Sequence, residues 1–448
     1  MFRTELRALL RLSGPLIASY AGQQCMSLVD TVLVGRLGKA SLGGVGVGNG
    51  IFSAMLVTGI GLVLGLDPLI SQALGAGEAR RARVLLWQGL RVAVLAGLVM
   101  TALVCVAPLV LAPAGVAPET ASEARRYLFA RAPGLMPFLL FSASRAYLQA
   151  SGVTWPIVVA TIVANITNLF VGWALLAPLG VVGPAIASSV STLLMLVIAA
   201  LAIRRMQVPA PDTVAAPGEA LDLAPVRAYR PDLARAVFWL GGPIALQLLA
   251  EVGVFAIAGV LAGRLGEDAA AAHQVALVLA STTFTVTLGI GAATAVRVGK
   301  AVGAEAGPAA VRRAGLAGLV ACWSFMALAA LAFFVVPGVL SGWLTDDVVA
   351  ARAAVPLVLI AALFQLSDGT QCVAAGALRG AGDTSASLAA NVIGHYGIGL
   401  PLSLILAFRL GWGAPGLWWG LSAGLTTVGI ALVWRFLLIS RGTIRRAL

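Results

Sequence analysis

Long apolar runs separated by short polar connections dominate this chain. Most of the runs reach the roughly 20 residues that a helix needs to cross a bilayer. Because lipid offers the backbone no hydrogen-bond partners, such runs are expected to be helical. The pattern predicts an all-α, polytopic membrane protein with about twelve transmembrane helices, at residues 13–34, 45–70, 86–112, 127–147, 156–178, 183–203, 235–262, 271–294, 314–340, 352–376, 386–407 and 415–440.

One long polar interruption divides the apolar pattern near the middle of the chain. It contains five prolines with acidic and basic residues between them, which is typical of a linker. The sequence therefore predicts an N-terminal six-helix lobe at 1–205, a cytoplasmic linker at 206–232 and a C-terminal six-helix lobe at 233–448.

The two halves of the chain repeat each other. Pro15 and Pro243 lie 228 residues apart, and the tetrapeptide GRLG occurs at 35–38 and again, with the same offset, at 263–266. Each half has an even number of predicted spans, so both halves enter the bilayer in the same direction. We expect two lobes related by a pseudo-two-fold axis along the membrane normal, an architecture in which transporters move one lobe against the other.

Composition and charge support a membrane location and argue against a nucleic-acid partner. The chain is 60% hydrophobic and 11% charged, whereas soluble domains have about 25% charged residues. The net charge is +12, but the arginines cluster between apolar runs and do not form one basic face. Their bias to one side predicts a multi-pass protein of the cell inner (cytoplasmic) membrane with both termini in the cytoplasm.

Four carboxylates lie inside the apolar runs, where each costs roughly 2.5–3.5 kcal/mol on insertion scales. Glu251 and Asp368 are near the middle of their spans, far from any basic residue of the same run, and Asp30 follows a long uncharged stretch. We predict that these three acids carry the function. Asp67 precedes Pro68 near the end of a span; a helix break or cap is favoured there, and a functional role stays open.

Several amide side chains also occur at membrane depth. Gln23, Asn165, Asn168 and Gln371 are the candidates for supporting polar residues. Asn165 and Asn168 are three residues apart and share one helix face. Hydrogen bonding between helices and lining of a cavity are equally consistent with this pattern.

The spans show no sign of enzyme chemistry. The four cysteines and two histidines are scattered, without the spacing of a metal site or a nucleophile–base pair. The glycine-rich stretches 43–50 and 59–65 are not followed by the Lys-Ser/Thr of a phosphate loop, so we interpret them as sites of close helix packing. An intramembrane enzyme is therefore disfavoured, no cofactor is expected, and transport must be driven by an ion gradient or by a separate partner.

Four segments resemble the multidrug and toxic compound extrusion (MATE) transporters, and most of all their NorM-type bacterial branch. They are MSLVDTVLVGRLG at 26–38, AAHQVAL at 271–277, AVRVGKAVG at 295–303 and VAAGALRGAGDT at 373–384. The likeness covers essentially the whole chain. It implies coupling acids on the first, seventh and tenth helices, and these positions match Asp30, Glu251 and Asp368.

The resemblance implies an antiporter that exports cationic amphipathic organic compounds in exchange for H⁺ or Na⁺ by alternating access, acting as a monomer in the lipid bilayer. It places a possible Na⁺ site at Glu251 and Asp368. The family often has tyrosine four residues before the tenth-helix acid; this chain has Phe364, so only an aromatic ring is available to face a cation. A flippase for lipid-linked or polyprenyl substrates, from the same superfamily, is the alternative.

Overall fold

A computed structural model describes residues 1–35, 37, 39–113, 115–206, 226–345 and 347–447. In these residues the only regular structure is helical. The α-helices are α1 (Phe2–Gly35), α2 (Lys39–Val63), α3 (Leu66–Gly75), α4 (Ala79–Val106), α5 (Pro118–Arg131), α6 (Leu135–Ala150), α7 (Trp155–Leu179), α8 (Val182–Arg205), α9 (Pro231–Arg264), α10 (Glu267–Gly303), α11 (Pro308–Val335), α12 (Pro337–Gly342), α13 (Val348–Ala381), α14 (Thr384–Val392), α15 (Leu400–Leu404) and α16 (Gly413–Ile439). Most of the predicted linker, residues 207–225, lies outside the described residues.

Ten helical segments of the described residues are long and apolar enough to cross a membrane. The other two predicted spans, 13–34 and 127–147, coincide with α1 and with the α5–α6 pair. Both are less apolar than the remaining spans, because α1 begins with a charged segment and α5 carries several charged residues. The prediction of an all-α, polytopic membrane protein is confirmed.

The internal repeat extends to the bounds of the helices. Helices α1 and α9 each have 34 residues and an internal proline. The α2–α3 pair covers 39–75, and α10 covers 267–303, which is the offset of 228 seen in the sequence. Each half thus builds the same succession of helical segments.

The halves differ in where their helices are interrupted. Helix α2 ends at Val63 and α3 begins at Leu66, whereas the equivalent α10 is continuous. Asp67 and Pro68 lie in the first turn of α3, so the helix break expected at Asp67 is confirmed. In the second half, α14 and α15 are separated by a π-helical segment, Ile393–Gly399, while the equivalent α7 is regular.

Glycines allow close approach between helices in both halves. A Cβ at Gly59 would lie 2.7 Å from the Leu139 side chain, and one at Gly48 would lie 2.8 Å from the Tyr127 ring. In the second half, a Cβ at Gly376 would collide with the backbone of Gly291 on α10. The interpretation of stretches 43–50 and 59–65 as packing sites is therefore confirmed.

The contacts divide the chain into two compact units. The N-terminal unit is Ala18–Ala245, and the C-terminal unit combines Met1–Ile17 with residues from Leu246 to Ala447. The boundaries fall inside α1 and α9. Within the C-terminal unit, Arg297 on α10 donates two hydrogen bonds, of 2.7 and 2.6 Å, to the Glu5 carboxylate. The lobes at 1–205 and 233–448 stay a prediction.

Candidate transport site

Asp30 is held in the N-terminal unit by two side chains from other helices. Only 7% of Asp30 is exposed. Its Oδ1 accepts a hydrogen bond of 2.9 Å from the amide of Asn168 on α7, and its Oδ2 accepts one of 2.5 Å from the hydroxyl of Ser188 on α8. Asn168 also donates to the Ser188 hydroxyl at 2.9 Å. The three side chains form a closed network that fixes the carboxylate on α1.

The other two polar candidates of this unit lie one to two turns away along α1 and α7. The Asn165 amide donates 2.9 Å hydrogen bonds to the carbonyls of Gly22 and Thr161, and so joins the two helices. The Gln23 amide bonds to its own helix, at the Ser19 carbonyl, at 3.3 Å. Asn165 thus makes a bond between helices, whereas Gln23 lines the cavity described next.

A cavity of about 260 Å³ opens beside Asp30 in the N-terminal unit. This volume is near the lower end of the roughly 300–1,000 Å³ typical of small-molecule sites. Apolar and aromatic side chains make up much of its wall, with a small number of polar groups. The side chains on which the following sections depend are Gln23, Asp30, Phe52, Tyr127, Arg131 and Phe138.

Arg131, at the end of α5, is a charged cavity residue that sequence reasoning missed. Only 8% of it is exposed, and its guanidinium lies over the Phe52 ring, 4.6 Å from the ring centroid. It interacts electrostatically with Asp30. From the sequence, an arginine near the start of the span 127–147 is indistinguishable from an ordinary basic residue at the membrane surface.

Glu251 and Asp368 come together in the C-terminal unit. Glu251 lies on α9 and is partly buried, whereas Asp368 on α13 is 5% exposed. Their carboxylates are close enough to interact electrostatically. In the described part of the chain neither carboxylate has a hydrogen-bond partner. The sequence predicted both acids from their cost in lipid, and the fold brings them into one site.

Phe364 lies one turn before Asp368 but faces other aromatic side chains. It is 3% exposed, and its ring centroid is 6.2 Å from that of Phe255 and 5.7 Å from that of Trp418. The Trp418 indole in turn donates a 3.2 Å hydrogen bond to His273. The structure thus gives the Phe364 ring a packing partner on two sides, and contact with a cation stays a prediction.

Gln371, one turn after Asp368, bonds to another helical segment. Its amide donates a 3.2 Å hydrogen bond to Asn391 on α14, and 2% of it is exposed. In the N-terminal unit, Asp67 accepts a 3.0 Å hydrogen bond from the Gln149 amide. These two residues contribute to packing between helices, away from the carboxylates discussed above.

Among the described residues, no group of three histidine, cysteine, aspartate or glutamate side chains is arranged to hold a metal ion. The Glu251–Asp368 pair offers up to four carboxylate oxygens. Such oxygens suit a hard cation, and each carboxylate can alternatively take a proton. A Na⁺ site at these two residues stays a prediction.

Comparison with known proteins places the chain in a family. The MatE family model matches residues 15–174 and 243–405, one stretch in each half. Proteins named "Probable multidrug resistance protein NorM" from Deinococcus radiodurans and Bradyrhizobium diazoefficiens are both 36% identical to the chain. The alignments cover 98% and 96% of this chain, and 96% and 93% of those relatives.

Solved structures agree on the fold. The eukaryotic MATE transporter AtDTX14 superposes with a TM-score of 0.87 at 21% identity, with both chains covered completely. The Vibrio cholerae MATE transporter VcmN, in its bent form, superposes with a TM-score of 0.86 at 18% identity over 98% of both chains. The chain therefore belongs to the MatE family and is a NorM-like MATE transporter of the membrane, not an enzyme.

Proposed function

We propose that this protein exports cationic amphipathic organic compounds from the cell in exchange for inward-moving H⁺ or Na⁺. The observation that carries the proposal is a desolvated carboxylate, Asp30, at the wall of a largely apolar cavity. The apolar wall suits the body of an amphiphile, and the carboxylate suits its positive group. The names of the NorM relatives, which refer to multidrug resistance, support the same substrate class.

The paired acids of the C-terminal unit supply a reason for ion coupling. Two like charges that are close and partly withdrawn from water repel each other strongly. With no hydrogen-bond donor to Glu251 or Asp368 among the described residues, a bound cation is the simplest means of balancing them. A proton on one carboxylate, or a Na⁺ shared by both, would do so.

Alternating access links the two events. In each half-cycle, an ion bound on one side of the membrane must favour the conformation that releases the organic cation on the other. A ligand shifts such an equilibrium only by its difference in affinity for the two conformations. We place the protein in the cytoplasmic membrane as a monomer, with both termini in the cytoplasm, on the basis of its basic connections.

The test is transport by purified protein in lipid vesicles. A pH gradient or a Na⁺ gradient is imposed separately, and movement of a fluorescent cationic dye is followed. Dye movement driven by at least one gradient, and abolished when that gradient is collapsed, is the expected result. Dye movement that ignores both gradients would refute antiport. Movement of a fluorescent lipid-linked phosphate instead of the dye would favour the flippase.

A further inference from the structure

The N-terminal cavity contains a positive charge that export of a simple cation does not use. Arg131 lines the same cavity as Asp30 and is 8% exposed. A guanidinium so close to the carboxylate would repel a purely cationic ligand. A site selected only for organic cations has no use for it.

The charge of Arg131 is poorly compensated by the protein. Its Nε and Nη1 atoms are shielded from solvent and have no hydrogen-bond partner in the described part of the chain. Asp30 does not supply one, because its two oxygens already accept bonds from Asn168 and Ser188. A buried charge without hydrogen bonds is expensive, so an anionic group arriving with a ligand would gain from meeting it.

The surroundings of Arg131 fix the orientation of the guanidinium. The Phe52 ring, itself 2% exposed, covers one face at 4.6 Å. The Tyr127 side chain interacts with both Arg131 and Asp30 and so lies near both charges. A stacked guanidinium presents its edge, where its N–H groups match the oxygens of a planar carboxylate.

We propose that this cavity recognises zwitterionic aromatic amphiphiles, with a carboxylate bound by Arg131 and a basic amine bound by Asp30. The cavity wall between the charges includes aromatic and aliphatic side chains such as Phe138 and Leu56, which suit the body of such a ligand. This inference rests on the proposed function and narrows its substrate class. Arg131 then acts as the specificity-determining residue.

A matched pair of dyes tests the proposal. Rhodamine B carries a free carboxylate and a delocalised cation, whereas its ethyl ester has the same ring system without the anionic group. Equilibrium binding of each dye is measured with the detergent-purified full chain and with Arg131→Gln. We expect Arg131→Gln to weaken rhodamine B binding by about tenfold or more, as loss of a charged hydrogen bond does, and to leave the ester unchanged or bound more tightly.

Arg125→Gln is the matched control. Arg125 lies on the same helix, is exposed, and also stacks on a phenylalanine, Phe129, at 5.7 Å, but it does not line the cavity. This variant should bind both dyes as the parent does. Arg131→Lys keeps the charge without the planar edge, so it should lose part of the rhodamine B affinity and remain folded if the glutamine variant does not.

The outcomes separate the two proposals. If Arg131→Gln and Arg131→Lys leave the preference between the dyes unchanged, the assignment of Arg131 is wrong while cation export stands. If the parent protein binds the ester but not rhodamine B, the cavity excludes anionic groups and the assignment is also wrong. If the parent binds neither dye, the proposed function falls together with this inference.

Discussion

In the N-terminal unit the Asp30 carboxylate accepts hydrogen bonds from Asn168 and Ser188, whereas in the C-terminal unit the Glu251 and Asp368 carboxylates face each other without a donor among the described residues. Both arrangements keep negative charge inside an apolar protein. The first stabilises the charge with fixed dipoles. The second leaves the charge to be balanced by whatever cation arrives.

This difference suggests a division of work within a repeated fold. The helices of the two halves repeat with an offset of about 228 residues, but the acids do not. The position equivalent to Glu251 is Gln23, and the position equivalent to Asp30 is Ala258. A carboxylate supported by donors can hold an organic cation with little rearrangement, whereas an unsupported pair responds strongly to H⁺ or Na⁺.

The largest expected effect is on the unsupported pair. Glu251→Gln and Asp368→Asn should each abolish gradient-driven dye transport, because either change removes the repulsion that a coupling cation relieves. Transport into vesicles is measured at matched protein levels. Asp268→Asn, at an exposed position on α10, is the control and should transport at the parent rate. Parent-like transport by both site variants would make the pair structural.

Asp30→Asn should also stop export, although it lies in the other unit. Asparagine retains the size of the side chain and can still bond to Ser188, but it cannot attract a cation. Dye binding to the purified variant separates the causes: we expect binding of a cationic dye to be lost while the protein stays folded. Retained transport would confine function to Glu251 and Asp368. Asp232→Asn, exposed at the start of α9, is the matched control.

Drug and coupling ion should compete. A protonated carboxylate is neutral and no longer attracts a cation, so affinity for rhodamine B ethyl ester should fall as pH is lowered from 8.5 to 5.5. If Na⁺ is the coupling ion, added Na⁺ should weaken binding in the same direction. Coupling of about 1–3 kcal/mol, or roughly 5–150-fold, is typical between linked sites. Affinity that responds to neither ion would leave only an effect on the conformational equilibrium.

The smallest effect concerns the donors that distinguish the two sites. Ser188→Ala leaves one Asp30 oxygen without its partner, and an unsatisfied buried group costs about 1–3 kcal/mol. We expect a lower thermal unfolding midpoint and weaker, but not absent, transport. Gln371→Ala removes a buried amide near Asp368 that bonds to Asn391 instead, so it should lower stability with little change in transport. Equal transport losses in both variants would contradict the comparison.

The sequence by itself determined the membrane architecture. Apolar length fixes a spanning helix locally, and for that reason the spans, the repeat and the break at Asp67 could be predicted residue by residue. The cost of a charge in lipid likewise singles out Asp30, Glu251 and Asp368 without knowledge of their neighbours. Membership in the MATE family could be inferred from the short segments around some of these acids and around the ends of α10 and α13.

Only the tertiary structure decided which polar groups meet. Ser188 is 158 residues from Asp30 and contacts it, and Asn168 reaches Asp30 whereas Asn165 bonds to backbone carbonyls. Arg131 has the sequence context of a surface arginine but lies in a cavity over Phe52, and Phe364 is enclosed by aromatic rings. These outcomes depend on the rotation and packing of helices that are distant in sequence, and hydropathy carries no record of either.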